Sequence, residues 1–498
     1  MADAPNQEPH LDPTDWDEFT RESHRALDEM IAYLRDIRDQ PVWQQAPEEV
    51  LQKFAARLPV QPKDLRNVLD VFSSSIKPYA TGNLHPLFMG WVHGAGTPVG
   101  MLAEMLAAGL NANCGGRNHI GLTVERQITR WAAEMFQFPA DASGIFVTGT
   151  SAANLLALLV ARTKALGAEI KEKGLRQCDA QLTAYTSNQV HACVIQAAEV
   201  SGLGSRHLRC LPVDDRGAIR IDVLTKAVEE DRRLGFRPFL VVASAGTVNT
   251  GAFDDLTALA ALCREQGLWF HIDGAFGALC ALSPQLKHLV AGIERADSVA
   301  FDFHKWAQVP YDAGFLLVRD AEIHRRTFAN PAGYLSRADS GLAAGGVWPC
   351  DLGLDLSRGF RALKTWFTFQ VFGTEKIAAC IEHTCRLAKH LEAQIAQSDV
   401  FETCAPVALN IVCFGVKASR DGELNKQIVL DLHKRGLAAP SITTIGRKPV
   451  IRAAIVNHRT TERDIDRFVE FLHHAALRAG CTRMKDPGLA RLQSNAAV

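Results

Sequence analysis

Apolar residues recur at three-to-four spacing through the first part of the chain: Leu27, Met30, Ile31, Leu34 and Ile37, then Val50, Leu51, Phe54 and Leu58, then Leu65, Val68, Leu69 and Phe72. That period predicts amphipathic helices, and Pro41, Pro59, Pro62 and Pro78 separate them. Helices that precede any strand have no core of their own. Their apolar faces are expected to dock on the rest of the chain or on a second subunit.

From about Gly144 the pattern changes to short β-rich runs alternating with helical ones. Strands are expected at 145–148, 182–186, 208–213, 239–243, 268–272, 298–303 and 314–318, with helices at 153–164, 190–200, 223–233 and 256–266, the last stopped by Gly267. Strand and helix alternating this often predict an α/β fold, a mainly parallel seven-stranded sheet between helices, with its chemistry at the carboxyl ends of the strands. After Phe372 and Gly373 a helical pattern runs to about Gln397, followed by strand-like 408–414 and 450–456 and helix-like 424–434 and 462–477. The expected organisation is an N-terminal helical segment (1–85), a large α/β domain (86–372), a small C-terminal α+β domain (373–485) and a flexible tail (486–498).

Composition narrows the class. The 498 residues carry 54 Lys and Arg against 55 Asp and Glu, a net charge of −1, without the clustered basic residues that hold nucleic acid or anionic membrane. No apolar run approaches the ~20 residues that span a bilayer. The polar, acidic start resembles neither a secretory signal nor a transit peptide, so a cytoplasmic location is expected. The 12 cysteines include no CxxC pair and read as reduced, mostly buried thiols. None of the 17 histidines falls in a metal-binding spacing, so no metal is assigned.

Four segments carry candidate chemistry. Gly149, Thr150 and Ser151 turn from a strand into a helix, where backbone N–H groups and hydroxyls face an anion; Thr150 stands where a P-loop needs its Lys, which argues against nucleotide hydrolysis. Lys305 follows a buried strand and can form a Schiff base with a carbonyl. Asp273 ends another strand, where a buried carboxylate needs a cationic or hydrogen-bonding partner. His191 opens a helix. Each has a plain structural reading alone: a capped helix, a solvated Lys, an Asp paired with an Arg, a helix-start His. Together, in this chain order, they specify pyridoxal 5'-phosphate: phosphate at Gly149, Thr150 and Ser151, aldehyde at Lys305, pyridinium nitrogen at Asp273, and ring faces at His191 and Ala275.

On these residues the chain resembles the group II pyridoxal-phosphate decarboxylases, the family of aromatic-L-amino-acid, histidine and glutamate decarboxylases. The resemblance runs from about Trp16 to Ala476 through HPLF (85–88), GTSAANLLALLVARTKA (149–165), SNQVHACV (187–194), SAGTVNTGAFDD (244–255), FHIDGAFG (270–277), FDFHKW (301–306) and LSRGFRALKTWF (356–367). It implies fold-type I architecture and a homodimer wrapped by the N-terminal helices, with the active site near the subunit interface. It implies Lys305 as the cofactor lysine, Asp273 as the pyridinium partner, His191 and Ala275 against the ring, and Thr247 as a polar neighbour. It implies Thr150, Ser151 and His304 as phosphate-side groups, with Asp302 beside them where some relatives carry Asn. The segment 324–346 resembles a mobile catalytic loop, and Tyr334 in it matches the tyrosine that protonates the substrate carbon after CO2 leaves.

The activity so implied is decarboxylation of an L-amino acid to an amine and CO2. An aldehyde-forming oxidative variant is associated with loss of the stacking His or loop Tyr, and His191 and Tyr334 are both present. Another fold-type I lyase or aminotransferase reaction, or cofactor binding without turnover, would keep Lys305 and Asp273. For the substrate, Trp91 can stack on a ring, His93 departs from the aromatic and proline-rich run of the relatives, and Ser357 stands where histidine-specific relatives carry Ser, unless it caps a helix starting at Arg358. An aromatic or heteroaromatic substrate ranks first and an acidic one second. Arg452 is expected in a surface salt bridge.

Overall fold

The computed structural model describes residues 10–175, 181–330 and 336–481. Ahead of the first strand lie α1 (Trp16–Arg35), α2 (Glu48–Lys53), α3 (Leu65–Val71), α4 (Pro98–Leu110) and α5 (Ile120–Met135). Helix α2 is shorter than its apolar spacing predicts: Leu58 lies beyond it, in coil and exposed, in a stretch that Pro59 and Pro62 keep from continuing as helix.

The central unit runs β1 (Ser143–Val147), α6 (Thr150–Leu166), α7 (Ile170–Lys173), β2 (Leu182–Ser187), α8 (Ala192–Val200), β3 (Leu208–Leu211), α9 (Ile221–Arg233), β4 (Arg237–Ser244), α10 (Leu256–Gln266), β5 (Trp269–Asp273), β6 (Ser298–Asp302), β7 (Gly314–Val318) and α11 (Ala321–Phe328). Its seven strands form one sheet in the order β1-β7-β6-β5-β4-β2-β3. The pairings within β3-β2-β4-β5-β6 are parallel, and β7 runs antiparallel to both neighbours. Alternation along the strands splits the core in two. Phe146, Val241, Val299, Phe301 and Phe315 join one apolar cluster, whereas Ile145, Leu240, Val242, Ala300 and Leu316 join the other, with α6 and α8. Helix α10 shows the local logic: Asp255 caps its first turn by accepting from Ala258 N, and Gly267 ends it in the left-handed conformation at φ 64°.

Helix α12 (Arg361–Gln397), broken at Gly373, leads into β8 (Phe401–Thr403), β9 (Ile411–Val416), α13 (Glu423–Lys434), β10 (Ser441–Ile445), β11 (Lys448–Ala454) and α14 (Glu462–Arg478). Their four strands make an antiparallel sheet ordered β10-β11-β9-β8. Strands β8 and β10 go beyond the sequence expectation. Helix α12 begins at Arg361, so Ser357 does not cap it. The first part of segment 324–346 is helical, not loop: His324 lies in α11, buried, its ring bonded to Ser143 Oγ and the Leu352 carbonyl. Of the eleven described cysteines five are buried, fewer than expected, and all are free thiols. No helix among the described residues is long and apolar enough to cross a membrane.

Candidate active site

Three strand ends of the central sheet open into one cavity of about 310 Å³. Strand β5 delivers Asp273 there, β6 delivers Asp302 with His304 and Lys305 just beyond, and β1 delivers the Gly149 turn into α6. Two close backbone approaches set this geometry. A Cβ on Gly314 would sit 2.4 Å from Gly149 Cα, and one on Gly94 would sit 2.1 Å from the His304 carbonyl oxygen. Only glycine lets β7 and the 85–95 segment lie flush against the turn and the lysine segment.

Of the residues singled out from the sequence, Trp91, His93, Gly149, Thr150, Ser151, His191, Thr247, Asp273, Ala275, Asp302, His304 and Lys305 all line this cavity. Ser357 does not, being exposed on the segment before α12. Tyr334 lies outside the described residues. The cavity wall also takes in Val92, Ser244, Gly246, Val248, Phe276 and Tyr311, which sequence reasoning did not single out.

Lys305 projects into the cavity, a fifth of its side chain accessible, with Nζ 2.9 Å from Asp302 Oδ2. Burial alone pulls its pKa down, but the Asp302 carboxylate, with Asp273 behind it, outweighs this and holds the ammonium above the ordinary lysine value. Asp302 is otherwise bonded to the start of α6: Thr150 N donates to Oδ1 at 2.8 Å and Thr150 Oγ1 to Oδ2 at 3.0 Å. His304 accepts from Ala313 N through Nδ1 at 2.9 Å, and burial drives its pKa down to about 4. A neutral His304 therefore keeps its proton on Nε2, which faces Asp302 Oδ2 at 3.7 Å.

Asp273 is buried on the cavity floor. Ala275 N donates to Oδ1 at 3.2 Å and Asn154 Nδ2 to Oδ2 at 3.1 Å. Burial pushes its carboxyl pKa up, against the pull of Lys305 and His191. His191 is the N-cap of α8, accepting from Cys193 N at 3.2 Å, so a helix-start role and a cavity position coexist in one residue. Thr247 sits in a tight turn, its hydroxyl accepting from Ala252 N at 3.1 Å and 3.1 Å from Thr250 Oγ1.

One wall is aromatic. The His93 ring stacks on Phe88 at 5.7 Å and on Trp91 at 5.8 Å, and meets Tyr311 edge-on at 6.0 Å. Trp91 holds a left-handed backbone, φ 54°, which costs free energy in a non-glycine residue and persists where surroundings enforce it. Arg452 anchors this backbone, donating to the carbonyls of Trp91 at 3.0 Å and Asn249 at 3.2 Å and to that of Val248. Arg452 is therefore no surface salt bridge: it is 3% exposed and satisfied by backbone carbonyls, with burial lowering its pKa to about 10.

This fold has clear counterparts. The structure of Catharanthus roseus tryptophan decarboxylase in complex with L-tryptophan superposes with a TM-score of 0.84 at 24% identity, covering 94% of this chain and 100% of that one. The architecture is that of the fold-type I pyridoxal-phosphate enzymes. Residues 47–417 match the pyridoxal-dependent decarboxylase conserved domain, and the chain belongs to that family. It is 33% identical to the aromatic-L-amino-acid decarboxylase of Bacillus atrophaeus, over 90% of this chain and 93% of the relative. It is 29% identical to the histidine decarboxylase of Rattus norvegicus, over 96% and 74%. The protein is accordingly a pyridoxal-phosphate-dependent amino acid decarboxylase. The residues present fit the cofactor: a buried carboxylate suited to a protonated ring nitrogen, a primary amine in the cavity, and the start of a 17-residue helix whose N-cap, Gly149, carries no side chain to cover the site, suited to a phosphate.

Proposed function

We propose that the protein decarboxylates an aromatic or heteroaromatic L-amino acid to the amine and CO2, with Lys305 as the residue that carries the cofactor aldehyde. The observation behind this reading is the placement of Lys305 Nζ in a cavity with Asp273 on its floor and the Trp91, His93 and Tyr311 rings on its wall. Bound pyridoxal phosphate supplies an electron sink for the pair left on the substrate α-carbon as CO2 departs. The chain's residues bind, orient and manage protons around it. Asp273 holds the ring nitrogen protonated, His191 and Ala275 cover the ring faces, and Gly149, Thr150 and Ser151 with His304 hold the phosphate. Thr247 fixes the turn beside the ring, and Asp302 takes up the ammonium of Lys305 whenever that amine is free. Tyr334 is the proposed proton donor to the α-carbon.

The aromatic wall supports a flat substrate side chain, since stacked rings add to area burial. Among the described residues lining the cavity Lys305 is the one Lys or Arg, so a second substrate carboxylate finds no cation of its own there. We further propose that the active form is a homodimer: Phe19, Ile31, Leu51, Phe54 and Val68 on or beside α1–α3, and Leu102, Met105, Leu106 and Leu110 on α4, are exposed apolar residues awaiting cover. Ser357 then belongs to the substrate site only through that assembly.

The test is CO2 release by the cofactor-loaded protein across the L-amino acids, with the product identified as amine or aldehyde and Lys305→Ala as control. CO2 with amine from an aromatic or imidazole substrate, lost in the control, is expected. Release from acidic amino acids alone, or aldehyde as main product, would contradict the proposal.

A further inference from the structure

Five residues running from the cavity floor into the interior are joined by hydrogen bonds in a single file. Trp269 Nε1 donates to Ser298 Oγ at 2.8 Å; Ser298 Oγ lies 2.8 Å from His271 Nδ1; His271 Nε2 lies 2.8 Å from Asn154 Oδ1; and Asn154 Nδ2 donates to Asp273 Oδ2 at 3.1 Å. Two sequence periods build it. Trp269, His271 and Asp273 alternate along β5 and so share the face that α6 covers. Ser298 is the cross-strand partner of His271 on β6, and Asn154 is one helical turn into α6 from Thr150. None of the five is more than 7% exposed.

The two ends of the file dictate its direction. An indole nitrogen only donates and a carboxylate only accepts. Asn154 must therefore turn its NH2 to Asp273 and its carbonyl to His271. His271 then carries its proton on Nε2, Nδ1 accepts, and the Ser298 hydroxyl donates to it while accepting from Trp269. Every hydrogen bond points toward Asp273. This agrees with the depression of the His271 pKa by burial, to about 3.

We propose that Trp269, Ser298, His271 and Asn154 form a one-way donor relay that holds Asp273 ionised, with Asn154 the positioning residue for that carboxylate. Desolvation favours the neutral acid at this site, and an acid would leave a pyridine ring nitrogen without its anion. Lys305 and His191 also face Asp273, and the Cys193 thiol lies 3.3 Å from Asn154 Nδ2. Both side chains are on the cavity side, where their own bonding changes as cofactor and substrate come and go. The relay approaches from the opposite, apolar side and is independent of them. Hydrogen bonds in such a file polarise one another, so the far members strengthen the last.

The proposal rests on the reading that Asp273 serves the cofactor ring nitrogen, and two measurements separate the two ideas. Histidine-selective 15N NMR of the full chain, with His271 assigned from a His271→Gln variant, reads the relay without reference to catalysis. A neutral Nε2–H tautomer that does not titrate between pH 5 and 8 is expected, and Ser298→Ala is expected to shift its Nδ1 resonance while Ser298→Thr, which keeps the hydroxyl, restores it. An Nδ1–H tautomer, or titration within that range, would overturn the relay. The second measurement is cofactor affinity and the pH dependence of the bound cofactor's visible absorption in Asn154→Leu. Loss of a supporting partner of this kind is expected to weaken cofactor binding on the order of tenfold, with the absorption titration displaced and kcat reduced at unchanged KM. Wild-type affinity and titration in a folded Asn154→Leu protein would contradict the relay. Failure of the wild-type chain to bind pyridoxal phosphate would overturn the Asp273 assignment instead.

Discussion

Two aspartates flank Lys305, on adjacent strands and under the same helix, yet they are satisfied in different ways. Asp302 is saturated: Thr150 gives it two hydrogen bonds, Lys305 an ion pair at 2.9 Å, and the His304 ring stands at 3.7 Å. Asp273, on the neighbouring strand, is hydrogen-bonded only by neutral donors, the amide of Asn154 and the backbone N–H of Ala275, and feels Lys305 and His191 without a bond to either. A buried carboxylate bonded only to neutral groups keeps an unmet demand for positive charge. The contrast shows how one residue type takes two roles in one cavity. Asp302 holds the chain's own cation, whereas the proposed function gives Asp273 one from outside the chain.

The sharpest way to break this comparison is Asp273→Asn. An amide cannot hold a ring nitrogen protonated, and removing one partner of a buried charge pair costs about 3–5 kcal/mol. Decarboxylation is therefore expected to fall by about a thousandfold while Lys305 still captures cofactor. A variant within tenfold of wild-type kcat would dissolve the distinction between the two aspartates.

Acid titration probes both sides together. His304 beside Asp302 and His271 behind Asp273 have folded pKa values of about 4 and about 3, below the ordinary 6.5. A histidine depressed in this way contributes stability that is present above pH 6.5 and is lost as pH falls through its folded pKa, because only the unfolded chain gains the proton. Each is worth on the order of 3 kcal/mol. Buried His85 and His324 and half-buried His458, each at about 4, act in the same direction. Urea midpoints are expected to drop steadily from pH 6.5 to 4; a flat profile over that range would show that these rings are solvated.

Truncating the wall is a smaller perturbation. Trp91→Ala is expected to raise KM for an aromatic substrate about tenfold with kcat little changed, as loss of an aromatic anchor does. An effect on kcat alone would place the substrate ring elsewhere. The mildest variant is Asp302→Asn, which keeps an acceptor for Thr150 and removes the negative charge beside Lys305. The Lys305 pKa then falls, more free amine is present at neutral pH, and the rate of cofactor capture followed by absorbance shifts its pH dependence to lower pH. A shift in the opposite direction would contradict the ion pair's role.

Much of the fold was legible in period and punctuation. The seven strands of the central sheet and helix α10 follow from alternation, apolar runs and glycine stops, because both faces of that sheet are buried. What escaped was shorter or conformationally coded. Strand β8 has three residues, too few for a period. The β10–β11 hairpin turns on Gly446 and Arg447, both in the left-handed region at φ 55° and 70°. Gly-Arg is a weaker hairpin signal than Asn-Gly. The site segments could be read because Gly149, Asp273 and Lys305 stand at strand ends, where chemistry collects in α/β sheets. Arg452, Asn154 and Tyr311 were misread or missed because their partners are distant in sequence. Arg452 bonds Trp91, and Asn154 bonds Asp273, across gaps that no local pattern encodes.

The assignment of Lys305 as the cofactor lysine is tested most directly by borohydride reduction of the cofactor-loaded protein, proteolysis and mass mapping of the pyridoxyl group. The account predicts a single modified peptide carrying the label on Lys305, absent in Lys305→Ala. A label on any other lysine, or none in a protein that releases CO2 from its substrate, would contradict it.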